Sequence, residues 1–178
     1  MSNEIHIETP LTGKNNEKLA IGDKVLLSGT IYTARDAAHQ KLVDLIDNEQ
    51  PLPFELQGAV IYFVGPAPAK PGKVIGSAGP TTSYRMDSYS PALLEHGLKG
   101  MIGKGGRSQA VIDSIKKNKA IYFAAVGGAA VVMAECIKAV EIIAYPELGT
   151  EAIRKMEVEN LPVFVAIDSK GKDLYNQN

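Results

Sequence analysis

Hydroxyl and arginine side chains cluster in one short segment of the sequence, GPTTSYRMD (79–87), which carries Thr81, Thr82 and Arg85. Backbone N–H groups, hydroxyls and a guanidinium at a helix start are the donors with which proteins bind anions. Arginine suits a carboxylate because its planar fork donates two parallel hydrogen bonds. The segment therefore predicts an anion site. A capped helix start, with Arg85 paired to Asp87, explains the same residues without a ligand.

Two other short segments of the sequence also carry cationic side chains. In GKGG (103–106), Lys104 is followed by Gly105, and glycine lets a backbone approach a ligand closely. This turn lacks the Ser or Thr that must follow the lysine of a nucleotide-binding P-loop. In TARDAAH (33–39), Arg35 follows a strand-like run and precedes a helix-like one. Without a ligand, these residues would be a solvated lysine in a turn and a solvated arginine beside a capping aspartate.

The elements that must position these residues alternate between strand and helix from residue 58 to 128, which indicates βαβ units with parallel strands. We predict strands at 5–11, 24–33 (bent at Gly29), 58–65, 73–79, 98–103, 120–128, 141–149 and 163–168. We predict helices at 34–50, 90–97 (with Ser90 as N-cap and Gly97 as stop) and 107–119, a helix-like or mixed segment at 129–140, loops at 12–23 and 66–72, and a turn at 169–172.

The predicted corners should meet at one edge of this sheet. Three strands end in glycine-rich corners, at 76–79, 103–106 and 127–128, and a fourth ends at Arg35. Ligands of α/β folds gather beyond the carboxyl ends of the strands. The predicted fold class is therefore a mixed α/β domain whose ligand site lies where these corners converge.

Bulk composition predicts one globular domain spanning residues 1–178. The chain is 45% apolar and 22% charged, with a net charge of −1, so no strong field favours nucleic acid. It has no Trp, which leaves little material for stacking bases. Because no apolar run reaches the roughly 20 residues that span a bilayer, and the first residues lack a secretory pattern, we expect neither membrane insertion nor secretion.

Groups capable of catalysis are scarce. The one cysteine, Cys136, cannot build a disulfide or a multi-thiolate metal site, and its apolar neighbours predict a buried small side chain. We therefore expect a cytoplasmic protein with no metal ligand of its own. His39 is expected to be a structural hydrogen bonder. The remaining arginines, lysine and hydroxyls suit a small dianion but form an incomplete catalytic set.

The motifs TARDAAH, VGPAPAKPG, GSAGPTTSYRMD, GLKGMIGKGG and AAVGGAA, in this order, resemble the β subunit of class I fumarate hydratase. In single-chain relatives the same unit is the C-terminal domain. The resemblance runs from about residue 5 to 175, which is nearly the whole chain. It implies a swivelling β/β/α domain, a mixed sheet with flanking helices.

The resemblance also implies a reaction, the reversible hydration of fumarate to (S)-malate in the tricarboxylic acid cycle. The implied cofactor is a [4Fe–4S] cluster bound by the partner α subunit and not by this chain. By position, the implied substrate-binding residues are Arg35, Thr81, Thr82, Arg85, Lys104 and Gly105. Thr81, Arg85 and Lys104 are the implied catalytic residues, with Thr81 as a base or relay beside an acidic residue of the α subunit.

Two alternatives stay open. L-tartrate dehydratase β subunits share GPTTS and GKGG, although TARDAAH is more similar to fumarase. Tyr84 also departs from the family, in which glycine is frequent at that position, and a bulky residue there would alter the pocket. The second alternative is a dicarboxylate-binding module without catalysis.

Overall fold

The computed structural model describes residues 4–125 and 130–176. Its strands are β1 (Glu4–Glu8), β2 (Lys24–Thr33), β3 (Val60–Tyr62), β4 (Gly100–Gly103), β5 (Ile121–Ala125), β6 (Ile137–Ala144) and β7 (Ile153–Ile167). Its α-helices are α1 (Gly13–Asn16), α2 (Asp36–Asp47), α3 (Ser90–Glu95), α4 (Gln109–Asn118) and α5 (Ala130–Glu135), and 3-10 helices lie at Ser83–Met86 and Pro146–Glu151. No helix in this described part of the chain is long and apolar enough to cross a membrane.

The described strands form one 7-stranded sheet in the order β1-β2-β3-β4-β5-β7-β6. Strands β1 to β5 run parallel to one another, whereas β7 is antiparallel to β2, β5 and β6. Because β7 pairs with both β2 and β5, the strands β2, β3, β4, β5 and β7 close into a ring. The predicted mixed α/β sheet with flanking helices is confirmed, and so are its parallel βαβ units.

Alternate residues of the strands face two apolar cores. In β3, Val60 and Tyr62 belong to the core enclosed by the ring, whereas Ile61 and the following Phe63 belong to an outer core. The outer core also contains helix side chains, namely Leu42 of α2, Leu93 of α3 and Val111 of α4. Because both faces of these strands are covered, their sequences are continuous apolar runs. Burying each large apolar side chain contributes roughly 1.5–3 kcal/mol.

The bend predicted at Gly29 is confirmed. The pairing of β2 with β7 changes register between Leu27 and Gly29, and Gly29 has a φ of 114°. A Cβ at this position would collide with the hydroxyl of Thr9. The resulting bulge turns β2 so that its two halves pair with different parts of β7.

The strand predicted at residues 73–79 is wrong, because this segment is irregular. It folds back on the predicted loop at 66–72. Gly76 N donates to Ala67 O at 3.1 Å, and Ala67 N donates to Ser77 O at 2.9 Å. A strand is maintained by a continuous ladder of hydrogen bonds, and two bonds to a loop do not supply one.

The helix predicted at 90–97 is present as α3, but Ser90 is not its N-cap. Tyr89 occupies the cap position, and the buried Ser90 Oγ donates to Met86 O at 3.0 Å instead. Pro91 lies in the first turn of the helix, and Gly97, with a φ of 113°, follows its end as predicted.

The last third of the chain differs most from the predicted boundaries. The segment predicted at 129–140 contains both α5 and the start of β6, and the strand predicted at 141–149 ends at Ala144 before a 3-10 helix. The strand predicted at 163–168 belongs to β7, which is 15 residues long. Short apolar runs suit helix and strand equally, so pairing with β7 decides their conformation.

Candidate functional site

The carboxyl ends of β2, β3 and β4 bring two predicted cations to one edge of the sheet. Thr33 pairs with Tyr62, and Tyr62 pairs with Ile102, so the three strands end level with one another. Arg35 and Lys104 follow Thr33 and Ile102, each by two residues. Neighbouring strands are about 4.8 Å apart, so β2 and β4 are separated by roughly 10 Å. The predicted convergence of these corners is confirmed for Arg35 and Lys104.

Thr81 and Thr82 are attached to the same edge by backbone contacts. Thr81 N donates to Phe63 O at 2.8 Å, one residue beyond β3. Thr82 forms a parallel bridge with Lys104, one residue beyond β4. Both threonines are partly buried. The structure therefore places the predicted threonine and lysine corners side by side.

Ser83, the third hydroxyl of this segment, is used by the fold. It is buried, its Oγ accepts from Lys104 N at 3.0 Å, and the Tyr122 hydroxyl lies 2.8 Å away. The same Tyr122 hydroxyl lies 2.7 Å from Gly105 O. Burial raises the pKa of Tyr122, so the phenol keeps its proton. A side chain at Gly103 would collide with Ser83 Oγ, which explains the glycine there.

The 3-10 helix at Ser83–Met86 has one side toward the core and the other toward the solvent. Its two end residues are buried, whereas Tyr84 and Arg85 are exposed, Tyr84 by 63%. The helix spans four residues, and its N-cap, Thr82, makes no side-chain capping bond. So short a helix offers little dipole, which corrects the prediction that a helix N-terminus would bind the anion. The site depends on side-chain cations instead.

The predicted ligand-free pairing of Arg85 with Asp87 is wrong. The Asp87 carboxylate accepts from Arg107 Nε at 2.7 Å and from Ser108 N at 2.8 Å. Among the described residues, the side chains of Arg85 and Lys104 have no hydrogen bond or ion pair. Two exposed cations on adjacent segments are therefore left without a neutralising group in the described part of the chain.

Arg35 is held against the backbone that follows β3. A Cβ added at Gly65 would lie 3.2 Å from Arg35 Cδ and 3.4 Å from Nη1, so the glycine leaves room for this arginine. Arg35 Nε is 3.8 Å from Asp36 Oδ1, and neither of these buried atoms has a hydrogen-bond partner in the described part of the chain. The side chain of Arg35 is 25% exposed.

The ligand-free prediction of a capping aspartate at this junction is wrong. Arg35 occupies the N-cap position of α2, and Asp36 is the first helical residue. A different side chain satisfies the exposed backbone, because Ala37 N donates to Glu151 Oε1 at 3.2 Å. The 3-10 helix at Pro146–Glu151 therefore holds this junction in place, and the sequence did not predict that contact.

His39 is a structural residue, as predicted. It is fully buried in α2, and its Nδ1 donates to Arg35 O at 2.9 Å. Burial lowers the pKa of His39 to about 4, so the ring is neutral at neutral pH. Its Nε2 has no hydrogen-bond partner among residues 4–125 and 130–176, and the ring packs edge-on against Phe63. A neutral imidazole with this contact supports the backbone of Arg35.

Gly105 lies beside Thr82 and has a φ of 83°, a conformation that favours glycine. The predicted corner at 127–128 lies outside the described residues. The corner at 76–79 approaches α5, where Ala78 N donates to Ala130 O at 3.4 Å.

The buried Arg107 also shapes this edge, although it was not among the predicted site residues. Its partner Asp87 lies 20 residues earlier, and nothing local in the sequence connects the two. The one feature of the sequence that could have pointed to Arg107 is its position between the GKGG turn and Ser108, which caps α4.

No group of three or more potential metal ligands comes together among the described His, Cys, Asp and Glu residues. Cys136, the one cysteine of the sequence, is partly buried, and its Sγ donates to Asn160 O at 3.6 Å. Burial raises the pKa of this thiol, which favours the neutral form over the thiolate that binds metals. One such thiol does not fit an iron–sulfur cluster, whose irons are held by several cysteines. The residues at the carboxyl edge suit a small carboxylate-bearing ligand.

The sequence profile of the family described as "Fumarase C-terminus" matches residues 1–178. The chain is 43% identical over 159 residues to fumarate hydratase 2 of Leishmania major, covering 88% of this chain and 28% of that protein. It is 46% identical over 159 residues to the anaerobic class I fumarate hydratase of Escherichia coli strain K12, covering 88% and 29%. The chain thus spans less than a third of the length of these relatives.

A relative of similar length is found in Methanocaldococcus jannaschii. The chain is 38% identical over 173 residues to a protein provisionally named L(+)-tartrate dehydratase subunit beta, covering 94% of this chain and 89% of that one. The same unit therefore occurs both as part of long chains and as a short chain.

Proposed function

The chain belongs to the fumarase C-terminus family, and from this premise we propose that it is the β subunit of a class I fumarate hydratase. In this proposal it binds the carboxylates of fumarate and (S)-malate during their reversible interconversion. An α subunit completes the active site. The fumarase and hydratase names of the relatives support a hydro-lyase, and the short tartrate dehydratase relative supports a separate partner chain.

The observation that carries the proposal is the pair of unneutralised cations at the carboxyl edge. Arg85 and Lys104 are exposed, lie on segments joined by the Thr82–Lys104 bridge, and lack side-chain partners among the described residues. A dicarboxylate carries two negative charges and matches such a pair. The fork of Arg85 would bind one carboxylate through two charge-assisted hydrogen bonds.

Three further groups complete the proposed binding set. Arg35, whose side chain is 25% exposed, would contact the substrate from the β2 side. Thr81 and Thr82 contribute hydroxyls between Arg35 and Lys104, and Gly105 lets the backbone approach the ligand. These assignments combine the residue types that the family implies with their shared position at one edge.

The proposed chemistry follows from the charge that develops during reaction. Removing a proton beside a carboxylate of malate creates an aci-carboxylate with additional negative charge. Fixed donors such as Arg85 and Lys104 stabilise that charge more strongly than the charge of the ground state. Thr81 is assigned to the reacting carbon as a proton relay to an acidic residue of the α subunit. A threonine hydroxyl is a weak base on its own, so the relay depends on that partner.

We assign the [4Fe–4S] cluster to the α subunit, because one cysteine cannot hold it here. The proposed complex is a heteromer that acts in the cytoplasm, in the tricarboxylic acid cycle. The test is to co-express the chain with an α-subunit candidate that carries cluster-binding cysteines, purify anaerobically, and assay fumarate, L-tartrate and mesaconate. The chain alone should be colourless and inactive, and the complex should hydrate fumarate with the highest kcat/KM.

Each other outcome of this assay contradicts a defined part of the proposal. A higher kcat/KM for tartrate would identify a tartrate dehydratase subunit. Binding of succinate without turnover of any substrate would identify a non-catalytic dicarboxylate module. A stoichiometric iron–sulfur cluster on the isolated chain would overturn the assignment of the cluster to the partner.

A further inference from the structure

Arg107 is a buried arginine on the inner side of the segment that carries Arg85. Its side chain is 0% exposed, and its Nε lies 2.7 Å from Asp87 Oδ1. Nη2 donates to Ser90 Oγ at 2.7 Å, and Nη1 donates to Met101 Sδ at 3.4 Å. A buried guanidinium is tolerated only with good partners, because removing it from water is costly. All three of its nitrogens therefore have a partner inside the protein.

The guanidinium of Arg107 also contacts two aromatic rings. Its Cζ is 4.9 Å from the ring centroid of Tyr122 and 5.2 Å from that of Phe63. These distances are in the range of cation–π contacts, and a planar guanidinium can make them while donating at its edges. A lysine keeps the charge but not this planar geometry, so Lys is an informative replacement.

The 3-10 helix that presents Arg85 is tied to the protein at both ends. At its start, Ser83 binds Lys104 N at 3.0 Å and lies 2.8 Å from the Tyr122 hydroxyl. At its end, Asp87 is shared between Arg107 and the backbone N–H of Ser108. Since Arg85 has no side-chain partner of its own in the described part of the chain, the backbone of this helix decides where its guanidinium lies.

We propose that Arg107, acting through Asp87, is a positioning residue that holds Arg85 in place for its ligand. Arg107 itself does not reach the ligand, because it is fully buried beneath the helix. Its effect on catalysis rests on the proposed function. Its effect on the backbone of the 3-10 helix does not.

The structural part of this proposal is tested by hydrogen exchange on the full chain. In Arg107→Lys, amide exchange of residues 82–87 should rise by about tenfold or more, while exchange in α2 stays at the wild-type rate. The control is Lys117→Met on α4, which breaks an exposed pair with Glu95 of α3 (3.1 Å) and should leave exchange at residues 82–87 unchanged. Unchanged exchange at 82–87, or an equal rise throughout the chain, would overturn the proposal.

If Arg107→Lys fails to fold, Asp87→Asn provides the same test from the other partner. It keeps the size of the side chain and an acceptor for Ser108 N, but weakens the contact to Arg107. The same local rise in exchange is expected, and its absence overturns the proposal.

The catalytic part is tested by a double-mutant cycle in the assembled enzyme. Arg107→Lys should lower kcat/KM by about tenfold or more in the wild-type background. In the Arg85→Gln background, the same substitution should lower kcat/KM by less than about twofold, because the effects of residues that act through one another are not additive. Independent, multiplicative losses would overturn the positioning role. If the wild-type complex has neither hydratase nor dehydratase activity, the proposed function fails instead, and hydrogen exchange alone decides the role of Arg107.

Discussion

Cations at the two edges of the parallel strands are used in different ways. At the amino edge, Lys119 Nζ lies 2.6 Å from Glu17 Oε1, and Lys99 Nζ donates to a backbone carbonyl at 2.6 Å. At the carboxyl edge, the side chains of Arg85 and Lys104 have no such partner among the described residues. The comparison shows that residue type alone does not identify a binding site. What distinguishes the candidate site is that two cations without such partners lie on neighbouring segments, where the parallel strands end.

Among the substitutions at the two edges, that of Thr81 should have the largest effect on turnover. In Thr81→Ala, turnover of malate should fall by roughly 10²–10⁴-fold, the usual contribution of a positioned acid or base. Steady-state kinetics of the reconstituted enzyme measures this. If turnover falls less than about threefold and only the Michaelis constant rises, Thr81 merely positions the substrate and the base lies wholly in the α subunit.

Acid should destabilise the protein through the buried His39 beneath the carboxyl edge. Its folded-state pKa is about 4, below the ordinary value of 6.5, so the unfolded chain takes up this proton at higher pH than the folded chain does. The free energy of unfolding should therefore fall as pH drops from 6.5 to 4, by roughly 3 kcal/mol in total for this group. Denaturant melts across this window measure the slope.

The control for the pH effect is a comparison of two histidine substitutions. His39→Gln should flatten the dependence of unfolding free energy on pH, whereas His96→Gln, at an exposed position, should keep the wild-type slope. Equal slopes in wild type and His39→Gln would show that other groups cause the acid sensitivity.

Arg85→Lys tests whether the geometry of the unneutralised cation matters as well as its charge. Lysine cannot make the two-pronged contact with a carboxylate, and a lost charged hydrogen bond costs roughly 1.5–3 kcal/mol. We expect kcat/KM of the complex to fall by about 10–150-fold, while the melting temperature of the chain stays near wild type because Arg85 has no partner to lose among the described residues. Near-normal kinetics would place Arg85 outside the substrate site.

Lys119→Met at the amino edge should have the smallest effect. The Lys119–Glu17 pair is exposed, and such pairs contribute about 0–1 kcal/mol. We expect a small loss of stability and unchanged kcat/KM in the complex. A large kinetic effect here would contradict the division of roles between the two edges.

The sequence predicted the strands that pair in parallel, because their apolar runs and turn residues are local signals. It failed at residues 73–79, where valine and isoleucine resemble a strand but the backbone bonds to a loop instead. It also failed in the last third of the chain, where β7 begins at Ile153, well before the strand predicted at 163–168. Strand length there depends on distant partners, which periodicity does not report.

Residue types and their order were enough to select Arg35, Thr81, Thr82, Arg85, Lys104 and Gly105 as candidates and to recognise the family, which the comparisons confirm. The roles of these six residues stay predictions. The placement of Arg35 and Lys104 at one edge follows from parallel strands, whose carboxyl ends lie together, whereas tertiary contacts bring the threonine segment there. Only the strand-end placement needs no more than local composition and the direction of the chain.

Tertiary structure alone decided which of these polar groups are available. Ser83 has the same hydroxyl as Thr81 and Thr82, yet it is buried and bound to Lys104 N. Asp87 lies two residues from Arg85, yet it pairs with Arg107, 20 residues further along the chain. The physical reason is that neutralisation and burial act through space. The sequence shows which charges a chain carries, and only the packing of its segments determines which of them remain unpaired.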